Sequence, residues 1–558
     1  MLELIAVPLI FALLAIIVKE DKIKYLVYLA AIGILALGIR AMFLPDLTTD
    51  IILFDGLSRL FVFVLSVVSS MALLYSTAYI KSSQNRFYFL MLFFIAAMFG
   101  FITANHVLMF FICWEIISIC SFLLISFDYK NEHAVKAGNK CFMLTQIGGL
   151  LVLTALIFLS KNLSFSISNI LANYSILSPT ILLVSSILLV FGALSKSSIF
   201  PFNWLSDAME APIPVSALLH SATMVNAGVF IMIRFLPIIK EFQELSYMIM
   251  AFAFISMFYA TFSALIEDNI KRILAFSTIT NLSFIFATLA IFSPMATSAA
   301  TYHLLNHAFF KSALFLSIGI VVYHVGKMDL RHMEGLANYM GRLKFVFVFL
   351  VMAAVGMPFT NLSKWAIYST WFHALPIGLI LLACGTVLAI VYYSKIVGVL
   401  FGKEARTLHP PVQFWAPVAV LAFITLLFGV SVTGYDIFVM PITGTAISLP
   451  VDFSLITLLF VFAFGIALSP AKIVLDRTGP FTGGEDVLPD FYVRDFFGNY
   501  LDKFRRIASA LTIDHLYKKI AGVNLAFLGL AKFEDFIDRD FIFLTLIMIL
   551  ISFMILLG

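Results

Sequence analysis

Three ionisable side chains recur every fourth residue in an otherwise apolar stretch: His303, His307 and Lys311 in "TYHLLNHAFFKSALFL" (301–316). On a helix, positions i, i+4 and i+8 fall within about 80° of one another along about 12 Å of one face. Histidine titrates near neutrality and can accept and pass protons. A buried lysine can be brought to release its proton. With water between them, groups in such a line make a proton relay. Two other readings fit the same residues. Histidines at i and i+4 can share a metal ion, although no acidic third ligand is close in sequence. The row can also be a purely structural polar seam between helices.

Four more ionisable residues lie in comparable surroundings. Glu115 sits in "MFFICWEIISICSFLL", with no other carboxylate within nine residues. A charged group at mid-bilayer costs about 2.5–3.5 kcal/mol on insertion scales, so it needs a partner and a polar interior. Lys196, in "LVFGALSKSSIFPFNW", is the candidate partner. Pro201 follows five residues later and predicts a helix break, because proline removes a donor and frees a carbonyl. Irregular backbone at that depth is tolerated only within protein or beside water. His220, in "VSALLHSATMVNAG", is surrounded by small residues that leave room for water; a simple hydrogen bond to a carbonyl is the alternative. Lys364 follows Pro358 and Asn361 in "VGMPFTNLSKWAIY". "LSK" occurs at 194–196 and again at 362–364, each near a proline-broken run, which hints at duplicated halves with sites at broken helices. Lys395 reads as a snorkelling residue at a span end. Glu267, Asp268, Lys271 and Arg272 read as solvated loop charge.

The elements that must hold these groups are membrane spans. The chain has 558 residues, 62% of them hydrophobic and 12% charged, with 60 Phe and a mean hydropathy of +1.06. Soluble domains carry about twice that share of charge. The net charge of +4 and the lack of a Lys/Arg block argue against nucleic acid. Cys113, Cys120, Cys141 and Cys384 form no CxxC or Cys/His spacing and read as small buried hydrophobes. No phosphate loop and no HExxH occurs, so neither a cofactor nor a metal is expected. The opening "MLELIAVPLIFALLAIIV" lacks a basic leader and reads as a first span.

Apolar runs of about 20 residues number about sixteen: 2–18, 24–43, 57–80, 87–104, 107–127, 135–159, 178–200, 212–236, 245–266, 270–292, 297–323, 343–370, 375–400, 413–434, 453–470 and 540–557. Alternate loops are basic, which sets them on the cytoplasmic side and both termini outside. Residues 471–539 hold a Gly/Pro-rich loop, "DRTGPFTGGEDVLPD", and an amphipathic pattern too polar to span. That helix is expected along the membrane surface or against neighbouring subunits.

The order and content of these segments resemble the antiporter-like membrane subunits of respiratory complex I, energy-converting hydrogenases and multi-subunit cation/proton antiporters. The resemblance rests on "FDGLSRLFVFVLSVVSSMALLYSTAYI", "FFICWEIISICSFLLISF", "SKSSIFPFNWLSDAMEAPIPVSALLHSATMVNAGVFIMIR", "DNIKRILAFST", "NHAFFKSALFL" and "GMPFTNLSKW". It implies that Glu115 is the family's glutamate on the fifth span and Lys196 its lysine partner on a broken seventh. It makes His220 the bridging histidine, Lys311 with His303 and His307 the central group, and Lys364 the terminal lysine on a broken twelfth span. The surface helix and sixteenth span resemble the subunit-5 (largest, lateral-helix) type. Departures are "LTQIGG" (144–149), where that type often has R-x-G-D, and "FSTITNLS" (276–283). The tail is also shorter, and "FTGGED" resembles a loop of hydrogenase-type relatives. These differences favour a hydrogenase-like or other non-mitochondrial complex.

The resulting expectation is an all-α polytopic membrane protein with about 16 transmembrane helices, including two inverted five-helix repeats and a C-terminal lateral helix. Its divisions are 1–86 (spans 1–3), 87–236 (first repeat), 245–400 (second repeat), 413–470 (spans 14–15), 471–539 (loop and lateral helix) and 540–558 (span 16). The implied function is a proton-translocating subunit of a prokaryotic inner-membrane redox complex, with sodium coupling open. Its partners would be other antiporter-like and small membrane subunits and, indirectly, soluble redox subunits. The alternatives are a redox-independent Na⁺/H⁺ antiporter subunit and a non-conducting scaffold or bicarbonate-handling relative.

Overall fold

A computed structural model describes residues 1–161, 163–357, 360–401, 410–445 and 459. Apolar runs with few helix breakers leave the backbone one way to satisfy its hydrogen bonds in lipid, and the chain takes it. The first helices are α1 (Glu3–Ile17), α2 (Glu20–Ala41), α3 (Gly56–Tyr79), α4 (Gln84–Thr103), α5 (Val107–Ile125), α6 (Glu132–Ser160), α7 (Ile167–Asn173) and α8 (Pro179–Lys196). Then follow α9 (Ile213–Leu219), α10 (Met224–Arg234), α11 (Leu236–Ile239), α12 (Gln243–Ile266), α13 (Ile270–Leu289) and α14 (Pro294–Val325). The last are α15 (Leu343–Val355), α16 (Leu362–Ala374), α17 (Pro376–Leu400), α18 (Val412–Val430) and α19 (Met440–Thr443). The strands among the described residues are Leu47–Thr48 and Leu53–Phe54, paired antiparallel in a short hairpin.

Twelve helical spans among the described residues are long and apolar enough to cross a membrane, α9 and α10 counting together as one (Ile213–Arg234), and α1 and α15 are shorter apolar helices. The expected spans 453–470 and 540–557, and the expected lateral helix of 471–539, lie outside the described residues. Side-chain caps start several of these helices where the sequence supplies them. Asp55 accepts from the Ser58 amide, Asn131 from His133, Ser178 from Ile181, Asn269 from Lys271 and Arg272, and Ser293 from Ala296.

The architecture is a bundle around α14, which packs against α3, α9, α13, α15, α16 and α18. At 32 residues, α14 runs about 48 Å. Large apolar residues such as Ile17, Ile32, Ile380 and Phe423 are exposed on α1, α2, α17 and α18. This is the surface a bilayer or a neighbouring membrane subunit covers.

Three expected spans are interrupted. The run 178–200 stops at Lys196, ahead of Pro201, because the chain turns at Ser198 (φ +55°) and stays irregular to a 3₁₀ turn at Asp207–Glu210. The run 212–236 is split between α9 and α10 at His220–Thr223, with no Pro or Gly in the gap. The run 343–370 ends α15 at Gly356 (φ +84°) and restarts at α16 with Asn361 as cap. Pro358, the residue expected to break it, lies outside the described residues.

Two further expectations need correction. Cys384 is exposed and Cys113 partly so, whereas Cys120 and Cys141 are buried as read. Lys395 does not snorkel: its side chain is only 3% exposed, pairs with Asp268 at 3.5 Å and donates to the Glu267 carbonyl at 2.9 Å. The carbonyls that end α12 hold it in place.

Candidate functional site

Glu115, Lys196, His220, His303, His307, Lys311 and Lys364 are each at most 1% exposed. They lie on α5, at the end of α8, at the α9–α10 gap, along α14 and in the first turn of α16.

At one end, Lys196 reaches the helix of Glu115. Its ammonium donates to Ser118 Oγ at 2.5 Å and to the Trp114 carbonyl at 3.4 Å, and stands over the Trp114 ring 4.6 Å from its centroid. Both carboxylate oxygens of Glu115 lack a hydrogen-bond partner among the described residues. The carboxylate feels the Lys196 charge, and Gln146 lies close by. Space for it comes from Gly149 on α6, where a Cβ would run into Glu115 Oε1 and Trp114 Nε1. The lysine is thus held about one turn along α5 from the glutamate, on Ser118 and not on the carboxylate.

In the middle, His220 ends α9 with both ring nitrogens unpartnered among the described residues and stacks on Phe315 of α14, centroids 5.4 Å apart. It lies within Coulombic reach of Lys271 and Lys311. Ser221, its neighbour in the gap, meets Ser312 on α14, Oγ to Oγ 2.5 Å. Asn226 donates to the Ser221 carbonyl at 2.7 Å and leaves its own carbonyl oxygen free.

Along α14, Lys311 donates to Ser277 Oγ, to the Leu274 carbonyl at 3.1 Å and to the Tyr393 hydroxyl at 3.2 Å. Tyr393 also donates to Ser277 at 3.1 Å. His307 has both ring nitrogens unpartnered among the described residues and sits between His303 (centroids 6.5 Å) and Phe310 (5.4 Å). His303 bonds Ser363 Oγ at 2.9 Å and Asn281 Oδ1 at 3.1 Å. Ser363 is the residue before Lys364. The Lys364 ammonium donates to the Val355 carbonyl at 2.9 Å and lies 4.8 Å from the Phe284 centroid. That carbonyl belongs to the end of α15, so the break between α15 and α16 supplies the acceptor.

Several polar members of this axis escaped the sequence reading: Ser118, Gln146, Lys271, Ser277, Asn281, Ser363 and Tyr393. None has a local signal; each matters through the helix it faces. Lys271 is the sharpest case, since it reads as loop charge and is 1% exposed. The "LSK" match also means less than it suggests. Lys196 closes a helix before its break, whereas Lys364 opens one after its break. Among the described residues no group of three His, Cys, Asp or Glu is placed to hold a metal ion. His303 spends its nitrogens on Ser363 and Asn281, which disfavours the shared-metal reading.

On the basic-loop side a belt of ion pairs crosses the bundle. Asp207 meets Lys140 of α6 and, at 3.6 Å, Arg272 of α13; Arg272 reaches Glu267 at 3.2 Å. Asp268 meets Lys395 of α17 and, at 3.9 Å, Arg331.

The family described as "NADH:quinone oxidoreductase/Mrp antiporter, TM" matches residues 104–389. The Na(+)/H(+) antiporter subunit A1 of Staphylococcus aureus (strain Newman) is 34% identical over 413 residues, covering 67% of this chain and 52% of the relative. The chain thus spans about half the length of the curated relatives it matches. The structure of an Mrp complex from Dietzia sp. DQ12-45-1b aligns with TM-score 0.77 and 24% identity, over 95% of this chain and 62% of that one. A membrane-bound sulfane sulfur reductase, an archaeal respiratory membrane complex, aligns with TM-score 0.74 and 23% identity, over 83% of this chain and 98% of that one. Both structures carry the same fold.

Proposed function

The chain belongs to the NADH:quinone oxidoreductase/Mrp antiporter transmembrane family, and from that premise we propose that it moves protons, in exchange for sodium, as one subunit of a multi-subunit membrane assembly. One observation supports this above the rest. The matched segment 104–389 contains all seven of the titratable groups set along the axis, from Glu115 to Lys364. The similar subunit A1 is by name a Na⁺/H⁺ antiporter subunit, which favours the redox-independent assembly over the hydrogenase-like one expected from the departures in the sequence.

In the proposed mechanism, Lys196 alternates between its berth on Ser118 and a closed pair with Glu115. At 4 Å and an effective dielectric of 20, closure is worth about 4 kcal/mol, or about three units of proton affinity. That is enough to change whether the lysine keeps its proton. The exchanged proton passes by His220 to Lys311, then by His307 and His303 to Lys364. The hydroxyls of Ser277, Tyr393 and Ser363 bridge the shorter gaps. Other membrane subunits would complete the outer openings and the sodium path.

The test is transport by the purified native assembly in sealed vesicles. An imposed sodium gradient should drive a pH change, read by a trapped dye, with no electron donor present. Exchange that appears only when a donor is oxidised would move the protein to the redox class, and a wild-type assembly that never moves protons would favour the scaffold.

A further inference from the structure

We infer that the proton line opens on the side opposite the basic loops through Asn306 and the Tyr302 hydroxyl, with Asp436 as the group that exchanges protons at the surface. This rests on the transport reading and gives it an outlet within this chain.

Lys364 is 1% exposed, so a proton arriving there still has to reach water. α14 carries polar residues past that point. Its end at Val325 leads into the basic loop of Lys327 and Arg331, so its start faces the opposite side. Tyr302 lies about 14 Å beyond Lys311 toward that start. Asn306 stands one turn from both His303 and Tyr302, at i, i+3 and i, i+4 spacing on the helix. Its side chain is fully buried, and neither its amide nitrogen nor its oxygen has a hydrogen-bond partner among the described residues. A bare amide costs stability, and it offers the donor and acceptor that hold a buried water.

That amide lies close to the Tyr302 hydroxyl. The hydroxyl donates to the Phe428 carbonyl at 2.7 Å and the Ser431 carbonyl at 3.0 Å, both at the end of α18. Its proton therefore points away from the axis, while the phenol oxygen keeps lone pairs to accept another. Beyond it the surface is polar. Ser431 Oγ donates to Thr433 Oγ1 at 2.9 Å. Asp436, exposed in the π-helical turn Tyr435–Val439, lies within Coulombic reach of Tyr302. Tyr435 packs edge-on against Tyr302, centroids 5.7 Å apart, and bonds the Thr445 carbonyl. Ser298 of α14 meets Thr445, Oγ to Oγ1 2.6 Å. These contacts hold the Asp436 turn against α14. The inner side of the route meets the lysine end. Gly429 of α18 sits where a Cβ would run into the Thr360 carbonyl, and the next residue, Asn361, caps the helix that carries Lys364.

A proton on a water at Asn306 passes to the phenol oxygen as the phenol proton leaves toward the Asp436 carboxylate, which gives it to solvent. One O–H bond forms as another breaks, and Tyr302 is never left charged. A tyrosine that only caps α18 needs the two carbonyls and nothing else; it does not account for the bare amide on its other side.

The experiment compares sodium-driven exchange by the whole assembly with wild type, Asn306→Leu, Tyr302→Phe and Asp436→Asn, in vesicles of one orientation. Leucine fills the space of Asn306 and asks for no partner, so this variant should assemble as well as wild type and lose at least tenfold in rate. Tyr302→Phe keeps the ring and should lose as much. Asp436→Asn changes an exposed residue and should slow exchange about three- to tenfold in weakly buffered medium. A concentrated membrane-impermeant buffer on the face opposite the basic loops should restore its rate, because the buffer then takes and delivers the proton; the same buffer on the other face should not. A purely structural Asp436 would respond to neither. Wild-type exchange by Asn306→Leu overturns the inference. So does an Asp436→Asn rate that equals wild type, or one that buffer on that face does not restore, even if Tyr302→Phe fails to assemble. A wild-type assembly without exchange removes the transport reading and this outlet with it; a working wild type beside a working Asn306→Leu removes the outlet alone.

Discussion

Glu115 is a buried carboxylate beside Gln146 and within reach of the Lys196 charge. Its presence was legible from the sequence, because a charge inside an apolar run is a local fact with a known cost. Its geometry was not. The sequence named Lys196 as its candidate partner without saying where the ammonium rests, which is on Ser118 and the Trp114 carbonyl. Partners across helices depend on rotation and depth, which a single run does not encode. The same gap hid Lys271 and misread Lys395. Two outcomes follow at this scale. Lys311→Ala and Glu115→Gln should each cut vesicle exchange at least tenfold while the assembly migrates normally on a native gel. Gly149→Ala should do nearly as much without touching a titratable group, since its methyl would occupy the space of Glu115 Oε1; wild-type exchange in that variant would show that the carboxylate has room to spare.

Helix ends and breaks carry the next level of organisation. Most span positions were readable from the apolar runs, whereas the caps at Asp55, Asn131, Ser178, Asn269 and Ser293 were not read from the sequence. The gap at His220–Thr223 was not readable either, because no breaker residue marks it. It is held from outside the helix by Ser312 and from within by Asn226. The α15 end depends on Gly356, whose φ of +84° strains any residue with a Cβ, and a Cβ there would collide with the aliphatic chain of Lys364. Gly356→Ala should lower stability by about 1–3 kcal/mol, read as a drop in melting temperature in detergent. A second element-level contact ties α3 to the end of α10: Arg234 donates to Asp55 Oδ1 at 3.1 Å and to Ser58 Oγ at 2.9 Å, and also meets Asp55 Oδ2. Burial works to push the Asp55 carboxyl up, but Arg234 and Ser58 outweigh it and hold the carboxyl below its usual value. A lowered folded value means that this contribution is present above the unfolded value, about pH 4, and is lost as pH falls through the folded one. With Asp55 34% exposed, solvent screening reduces the pair to about 1–2 kcal/mol. Asp55→Asn should therefore melt below wild type at pH 7, and the two curves should converge below about pH 4. Because Asn keeps an oxygen that can cap α3, equal melting temperatures at pH 7 would mean that the cap, not the charge, does the holding.

Over the whole molecule, the axis is an exception to the rule that buried polar groups find partners. Both oxygens of Glu115, both nitrogens of His220 and His307, and single oxygens of Gln146 and Asn226 are unsatisfied among the described residues. They lie on α5, α6, the α9–α10 gap, α10 and α14, and hydroxyls elsewhere on the helices divide: Ser66, Thr103 and Thr425 return their protons to carbonyls one turn back, whereas Ser185, Ser186, Ser263 and Ser369 are also unpartnered among the described residues. Each unsatisfied group costs about 1–3 kcal/mol. A fold selected for stability alone would replace them with apolar residues, and the proposed proton path would account for their being kept. His307→Leu tests that trade directly, because it fills similar space on α14 with a side chain that asks for no partner. Its melting temperature should equal or exceed that of wild type, while exchange falls at least tenfold. If exchange survives in the stabilised variant, His307 is a seam residue and the proton line must bypass it between Lys311 and Lys364; if stability falls instead, water satisfied the ring nitrogens in the membrane and the axis there is hydrated at no cost in stability.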